Sequence, residues 1–252
     1  MQDELKAIRT YLRPEKEGDI APDLLDDIQD EFERLYKADR RTARLVERIS
    51  SGKATHLDTQ AYAVRVGELS SKAMTKVLTP EALPDGRMYY NIAQRTILPT
   101  MESDHKLITM AADEVEVTLR EKANIGIKPA AAKMDQERVH AIIDKACSSE
   151  DFSEVAYVLD EPVKNTAQSF VDDFIRAQAT SLNRWGMRPK ITRTVVGGCC
   201  EWCQNLAGTY NYGEEPRPEF YQRHDHCRCA IIYDPGKGHM VQDSWSKKWR
   251  RR

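Results

Sequence analysis

Apolar residues recur every three or four positions along most of the chain, the spacing of helices that bury one face. The first such stretch, residues 23–50, begins after Pro22 and closes near Gly52, and it predicts one amphipathic helix. A second helix is predicted over residues 58–78. Pro80 ends it, because proline cannot continue the hydrogen-bond ladder of a helix.

Three more helical stretches follow. The longest runs from about Met88 to Lys122, and Pro99 is expected to kink or break it because proline lacks an amide donor. Residues 135–147 predict a short helix after a loop. Residues 163–185 predict a strong helix, with Gly186 in the place of a left-handed C-cap.

The periodicity changes near the C-terminus. Residues 190–196 alternate and are rich in β-branched side chains, as are residues 230–233, so both segments are predicted strands. Glycines and prolines between them indicate turns. The pattern predicts a mainly α protein with an elongated helical N-terminal region, residues 1–186. A small C-terminal α+β module over residues 187–240 and a basic tail over residues 241–252 follow.

Composition narrows the class of protein. The chain has 252 residues, of which 31% are charged and 40% hydrophobic, and no apolar run has the ~18 residues that a membrane span needs. We therefore expect a soluble protein with no membrane partner. The first residues contain no apolar signal-peptide core, which favours a cytoplasmic chain with reduced thiols. The net charge of -2 argues against a protein that coats nucleic acid over its whole surface.

Cysteine and histidine are concentrated near the C-terminus. Five of the six cysteines and two of the six histidines fall within residues 199–229, in the segments CEWC and RHDHCRC. Two cysteines two residues apart can point both thiolates at one tetrahedral ion, and a second pair from another segment closes the site. The spacing predicts a structural zinc site, since soft thiolate ligands favour zinc over iron in a mononuclear site. The candidate ligands are Cys200, Cys203, His224, Cys227 and Cys229.

The residues leave the last ligand open between Cys227 and Cys229, which would share one face of a strand beginning there. His226 is expected to be exposed. Cys199 faces away from Cys200, and Cys147 is interpreted as a small buried hydrophobic residue on a helix. A catalytic zinc would need an acid beside it, for which Asp225 is the candidate. Because no HxE motif is present, a closed structural site is favoured.

Two further features carry charge. Glu114 and Glu116 imitate the paired glutamates of ADP-ribosylating toxins, but their mid-helix position predicts a solvated face. The chain ends in five cations interleaved with Trp245 and Trp249, which predicts either a nucleic-acid contact or a solvated terminus. The cations are Lys247, Lys248, Arg250, Arg251 and Arg252.

Residues 190–238 resemble the C-terminal part of the Mu F-like head morphogenesis family, the minor head proteins of tailed phages and of prophages in Gram-positive bacteria. In that family a helical region leads into a CxWC…LAG…Y…RHxNCxC module. The matching residues are Cys200, Trp202, Cys203, Leu206, Ala207, Gly208, Tyr210, Arg223, His224, Cys227 and Cys229. His226 stands where the family usually has asparagine, and residues 1–185 agree only in being helical.

The resemblance implies a structural virion protein present in few copies, which occupies the host cytoplasm during assembly. Its implied partners are the portal protein and the major capsid or scaffold protein. Packaged DNA is a further expected partner because of the basic tail. Its implied role is head morphogenesis and DNA packaging or delivery, without enzymatic activity. A zinc-dependent nuclease or nucleic-acid-binding protein remains the alternative, and the groups of an ADP-ribosyltransferase cannot be assembled from the sequence.

Overall fold

The computed structural model describes residues 18–195, 200–224 and 226–236, and these confirm a mainly helical chain with a small C-terminal sheet. The α-helices of these residues are α1 Ala21–Ala38, α2 Arg40–Ser50, α3 His56–Val77, α4 Tyr90–Lys122, α5 Gln136–Ala146, α6 Glu161–Arg184 and α7 Glu201–Leu206. The strands are β1 Lys190–Thr194, β2 Gly208–Asn211 and β3 Ala230–Asp234.

The single helix predicted over residues 23–50 is wrong, because the chain breaks at Asp39 into α1 and α2. Asp39 has extended backbone angles. Its Oδ1 accepts hydrogen bonds from the Thr42 amide at 2.7 Å and the Thr42 hydroxyl at 2.8 Å. Aspartate commonly caps a helix in this way, satisfying an amide that has no partner within the helix. Asp39 therefore ends one helix and starts the next.

Helix α3 lies close to its predicted position, whereas the break expected in α4 at Pro99 does not occur. The 33-residue helix continues through the proline. Ile97 and Met101, on either side, are completely buried. Proline removes only one hydrogen bond of the ladder, and packing of the neighbouring turns keeps the helix continuous.

Local caps lie at the ends of the later helices, and the C-cap predicted at Gly186 is confirmed. Asp135 caps α5 by accepting a hydrogen bond from the Glu137 amide. At the end of α6, Gly186 has a φ of 78°. The Gly186 amide donates to the Asn183 carbonyl, and the Met187 amide donates to the Leu182 carbonyl. This is the paired bonding of a Schellman cap, which favours glycine at the left-handed position.

The three strands form an antiparallel sheet in the order β2-β1-β3. Central β1 pairs Ile191 with Tyr210 on one side and with Tyr233 on the other. The two strands predicted from alternation are confirmed. Strand β2 was not predicted, because its four residues begin with Gly208, which we interpreted as part of a turn.

The chain divides into two compact units, each built from separate segments. The first contains the described residues up to Arg44 with Ala63–Leu107 and Met134–Ala167. The second contains Leu45–Tyr62, Ile108–Lys133 and the described residues from Gln168 onward. The sheet and the cysteine cluster both belong to the second unit. The boundaries drawn at residues 186 and 240 stay predictions.

Membrane insertion has no support in the helices, since none in the described part of the chain combines the length and apolar character needed to cross a bilayer. The tail residues Trp245, Lys247, Lys248, Trp249, Arg250, Arg251 and Arg252 lie outside the described residues, as do Cys199 and Asp225.

Candidate metal centre

Two short segments of the second unit bring the cysteine cluster together. Cys200 is the N-cap of α7, and Cys203 lies one turn into that helix. In the other segment, the Cys227 amide donates to the His224 carbonyl at 3.0 Å and closes a turn. His226 occupies this turn with a φ of 60°, in the left-handed region that asparagine, aspartate and histidine tolerate better than most residues. Helix and turn thus present their ligands to each other.

The ligand atoms form two groups that share Cys203. The first group is Cys200, Cys203 and His224, and the second is Cys203, Cys227 and Cys229. Within each group the ligand atoms all lie within 4.8 Å of one another, so the cluster can hold a metal ion. All five residues proposed from the sequence therefore lie in one place.

Individual separations are close to those of a tetrahedral zinc site. The Nε2 atom of His224 lies 2.9 Å from the Cys203 sulfur and 3.3 Å from the Cys200 sulfur. The sulfurs of Cys203 and Cys227 lie 3.9 Å apart. Tetrahedral zinc with ordinary bond lengths separates two sulfurs by about 3.8 Å, and a sulfur from a nitrogen by about 3.5 Å. Small movements would bring these atoms to coordination distance.

Two arginines face the buried sulfurs. The Nη2 atom of Arg193 lies 3.8 Å from the sulfurs of both Cys203 and Cys227. The Nη1 atom of Arg223 lies 3.9 Å from the Cys227 sulfur. Three thiolates around a divalent ion leave a net negative charge in a buried place, which guanidinium groups beside the sulfurs offset.

Each arginine is held by other groups. Arg223 makes a two-pronged pair with the fully buried Asp172 of α6, through bonds of 2.6 and 2.8 Å, and also donates to the Cys229 carbonyl at 2.9 Å. Arg193 donates to the Gln222 carbonyl at 3.0 Å. These bonds tie the turn that carries the ligands to α6 and β1. Such outer contacts orient metal ligands and raise affinity.

The buried thiols differ in their tendency to ionise. The pKa of Cys227 is lowered to about 4, because the Cys229 thiol donates a hydrogen bond to it and both arginines add positive charge. The pKa of Cys229 is raised, since its proton is engaged with Cys227 and the group is buried. Burial also raises the pKa of Cys203. A bound cation would deprotonate each thiol that coordinates it.

Other residues of the motif have structural roles. The Tyr210 hydroxyl donates to the Ala207 carbonyl at 3.0 Å, so its ring folds back over Gly208. A Cβ atom at Gly208 would lie 2.6 Å from that hydroxyl, which explains the glycine. The rings of Trp202 and His224 meet edge to face with centroids 5.5 Å apart. The tryptophan thus limits the orientation of the imidazole.

Several expectations need correction or refinement. Strand β3 begins at Ala230, so Cys227 and Cys229 precede it instead of lying on one of its faces. His226 is exposed as expected and belongs to neither ligand group. Cys147 is half-buried, not buried, because it follows the last residue of α5, where the packed face of the helix ends.

Sequence reasoning missed Arg193 and Asp172 as neighbours of the cluster. Ile191 and Arg193 share one face of β1, and the burial of Ile191 marks that face as internal. The alternation of inward and outward side chains along β1 could therefore have identified Arg193 as an inward-facing residue. Nothing in the sequence pairs Asp172 with Arg223, which lies 51 residues further along the chain.

The solvated face expected for Glu114 and Glu116 is wrong for Glu116. Glu114 is exposed, but Glu116 is only 1% exposed. Its carboxylate accepts hydrogen bonds from Arg120 on the same helix and from the Tyr233 hydroxyl on β3. A buried carboxylate is tolerated when such donors offset the loss of water.

Comparison with protein-family models, with curated proteins and with solved structures gives no match. The resemblance described above therefore depends on the motif residues themselves.

Proposed function

We propose that this chain is a structural minor head protein of a tailed phage, which acts in head morphogenesis and in DNA packaging or delivery. The observation that carries the proposal is the CxWC and RHxxCxC pair. Its cysteines and histidine lie together in one cluster, and its Trp202 packs against the ligand His224. A chain with this module is proposed to occupy the virion, after assembly in the host cytoplasm.

The ion in this proposal is a single structural zinc held by Cys200, Cys203, His224 and Cys227. The 3.9 Å separation of the Cys203 and Cys227 sulfurs matches the edge of a zinc tetrahedron, which supports Cys227 as the fourth ligand. Cys229 then supports the site through its thiol and its carbonyl, which accepts from Arg223. A Cys227→Ser change should remove the metal, whereas Cys229→Ser should only weaken its binding.

The proposal includes no turnover chemistry. Among the described residues, the two ligand groups contain cysteine and histidine without a carboxylate that could transfer a proton. Catalytic zinc sites combine an open coordination position with such a group. Nuclease or deaminase activity that disappears in a Cys200→Ser, Cys203→Ser double variant would contradict this part and favour the alternative, a zinc-dependent nuclease.

The proposed partner surface for the portal lies on the helices between residues 23 and 122. Several large apolar side chains within this range are exposed, among them Leu57 at 51% and Tyr90 at 48%. Isolated exposed apolar residues are common, but a partner helix can cover them. The major capsid or scaffold protein is the second proposed partner.

Co-expression with the cognate portal protein of the same phage tests the proposal. We expect the two proteins to co-purify, and Tyr90→Ser or Leu57→Ser to reduce the recovered complex several-fold. Trp185→Ser is the matched control, because Trp185 is 71% exposed but lies outside residues 23–122. Absence of any complex with the cognate portal and capsid proteins would sink the proposal. Equal loss with Trp185→Ser would move the contact elsewhere.

A further inference from the structure

A pocket of about 290 Å³ lies in the second unit, formed by the first turn of α3, the end of α4 and the end of β3. Its walls are mainly apolar, contributed by Leu119, Ala123, Ile125 and Pro235. Its polar lining consists of His56, Glu116, Arg120, Tyr233 and Asp234. The volume is at the small end of ligand pockets, which begin at roughly 300 Å³. Neither the head-protein proposal nor the metal cluster uses these residues.

The Glu116 carboxylate is satisfied on one oxygen only. Arg120 and the Tyr233 hydroxyl both donate to Oε1. Oε2 is buried and has no hydrogen-bond partner among the described residues. Nε2 of His56 lies 3.4 Å from Oε2 and does not form a hydrogen bond with it. An orphaned buried acceptor is destabilising, so its presence beside a pocket needs an explanation.

The histidine does not supply a positive charge at neutral pH. His56 is 8% exposed, and burial is the main cause that lowers its pKa, against the attraction of Glu116. Its Nδ1 atom is also buried without a hydrogen-bond partner within the described part of the chain. Two polar atoms at this pocket therefore have no hydrogen-bond partner among the described residues.

Arg120 does not donate a hydrogen bond to Oε2 of Glu116 either, because its guanidinium is bound to other acceptors. Its Nη1 donates to the Ile127 carbonyl at 2.8 Å and its Nη2 to the Gln178 side chain at 2.9 Å. The carboxylates of Glu116 and Asp234 against this single guanidinium leave the lining with one net negative charge when His56 is neutral. The lining thus disfavours an anion, and a purely apolar ligand would leave Oε2 unpaired.

We propose that this pocket binds a small molecule carrying one ammonium group on a short apolar body. The ammonium group donates to Oε2 of Glu116, and the apolar body contacts Leu119, Ile125 and Pro235. An ionised donor on an ionised acceptor gives a stronger hydrogen bond than a neutral pair. The proposal is independent of the metal centre and of the head-protein function.

Titration calorimetry of the full chain with three probes of similar size tests the proposal. The probes are n-butylammonium, n-butanol and n-butyrate. We expect n-butylammonium to bind at least 10-fold more tightly than n-butanol, and n-butyrate to give no measurable binding. Equal binding of the amine and the alcohol, or no binding of the amine at millimolar concentration, would overturn the proposal.

Variants locate the binding. Glu116→Gln should weaken n-butylammonium binding at least 10-fold, whereas Glu114→Gln, at the exposed neighbour on the same helix, should leave it unchanged. Because Glu116→Gln can also disturb folding, Ala123→Trp provides a second test. Ala123 is exposed at the pocket, so a large side chain there should block binding while the circular dichroism spectrum stays the same. Unchanged affinity in Ala123→Trp would place the amine elsewhere and overturn the assignment.

Discussion

At the scale of single residues, Cys203 is the central ligand of the candidate metal site. It belongs to both ligand groups, and its side chain is 1% exposed. Its sulfur is close to His224, Cys227 and Arg193. Any ion shared by the two segments must therefore contact this thiolate.

We expect Cys203→Ser to remove the zinc and unfold the sheet module, because binding of a structural zinc contributes on the order of 10 kcal/mol to folding. Elemental analysis of purified protein and thermal unfolding measure both effects. The wild type should contain one zinc per chain. Cys147→Ser is the control and should change neither measurement, since Cys147 lies at the end of α5 in the first unit. A wild-type protein that is folded without metal would contradict the prediction.

Asp104 of α4 should make stability depend on pH. Complete burial raises the pKa of this carboxyl to about 8, and a 2.7 Å hydrogen bond from Ser70 offsets only part of that effect. The folded chain then holds a proton that the unfolded chain releases near pH 4. The stabilising contribution is complete below that pH and is lost as pH rises towards 8, by up to ~1.4 kcal/mol per pH unit.

Asp104→Asn should therefore raise the free energy of unfolding more at pH 7.5 than at pH 5. Asparagine keeps the acceptor for Ser70 without a proton to lose. Urea unfolding at both pH values measures the difference, with Asp27→Asn at an exposed position of α1 as the control. A pH dependence unchanged by Asp104→Asn would show that the carboxyl is ionised in the folded chain.

At the scale of elements, some helix ends were predictable from the sequence, whereas buried charges were not. Asp135 and Gly186 act through atoms within a few residues, so their caps could be identified from the sequence. The burial of Glu116 depends on Tyr233, 117 residues away, which no periodic pattern of α4 contains. The break at Asp39 was missed because apolar periodicity continues across it.

Gly67 marks a close crossing of α3 and α6 within the first unit. A Cβ atom there would lie 2.7 Å from the Cβ of Ala167 and 3.1 Å from the Cα of Lys164. Gly67→Ala should destabilise the chain by about 1–3 kcal/mol through overpacking, which exceeds the 0.5–1 kcal/mol that alanine gains by helix propensity. Denaturant unfolding measures the sign of the change.

Two variants control for the added methyl group and for the crossing itself. Gly126→Ala should change stability by no more than ~0.5 kcal/mol, because its Cβ would meet no atom within 4 Å. Ala167→Gly in the Gly67→Ala background should recover part of the loss by restoring space. Stabilisation by Gly67→Ala alone would mean that the helices separate at little cost.

At the scale of the whole molecule, the C-terminal module is held by contacts with earlier parts of the chain. Asp172 of α6 holds Arg223 beside the cluster, and Glu116 of α4 accepts from Tyr233 at the end of β3. The module was recognisable from residues 190–238, but these contacts could not be predicted, since they join residues far apart in the sequence. Truncation near residue 186 would thus remove structural partners of α4 and α6, and partner binding is better tested with point variants of the full chain.

The basic tail should give the whole chain a weak affinity for DNA. Five cations lie within residues 247–252, with Trp245 and Trp249 able to stack on bases. Release of counterions from up to five phosphates predicts a log-log salt slope of roughly -3 to -5, with no sequence preference. The net charge of -2 does not favour DNA binding over the rest of the surface. Retention of the full chain on immobilised DNA at low and moderate salt measures the slope.

Removing residues 245–252 should abolish retention, whereas Arg250→Lys with Arg251→Lys should preserve it by keeping the charge. An unchanged elution position after the truncation would identify the tail as a solvated terminus.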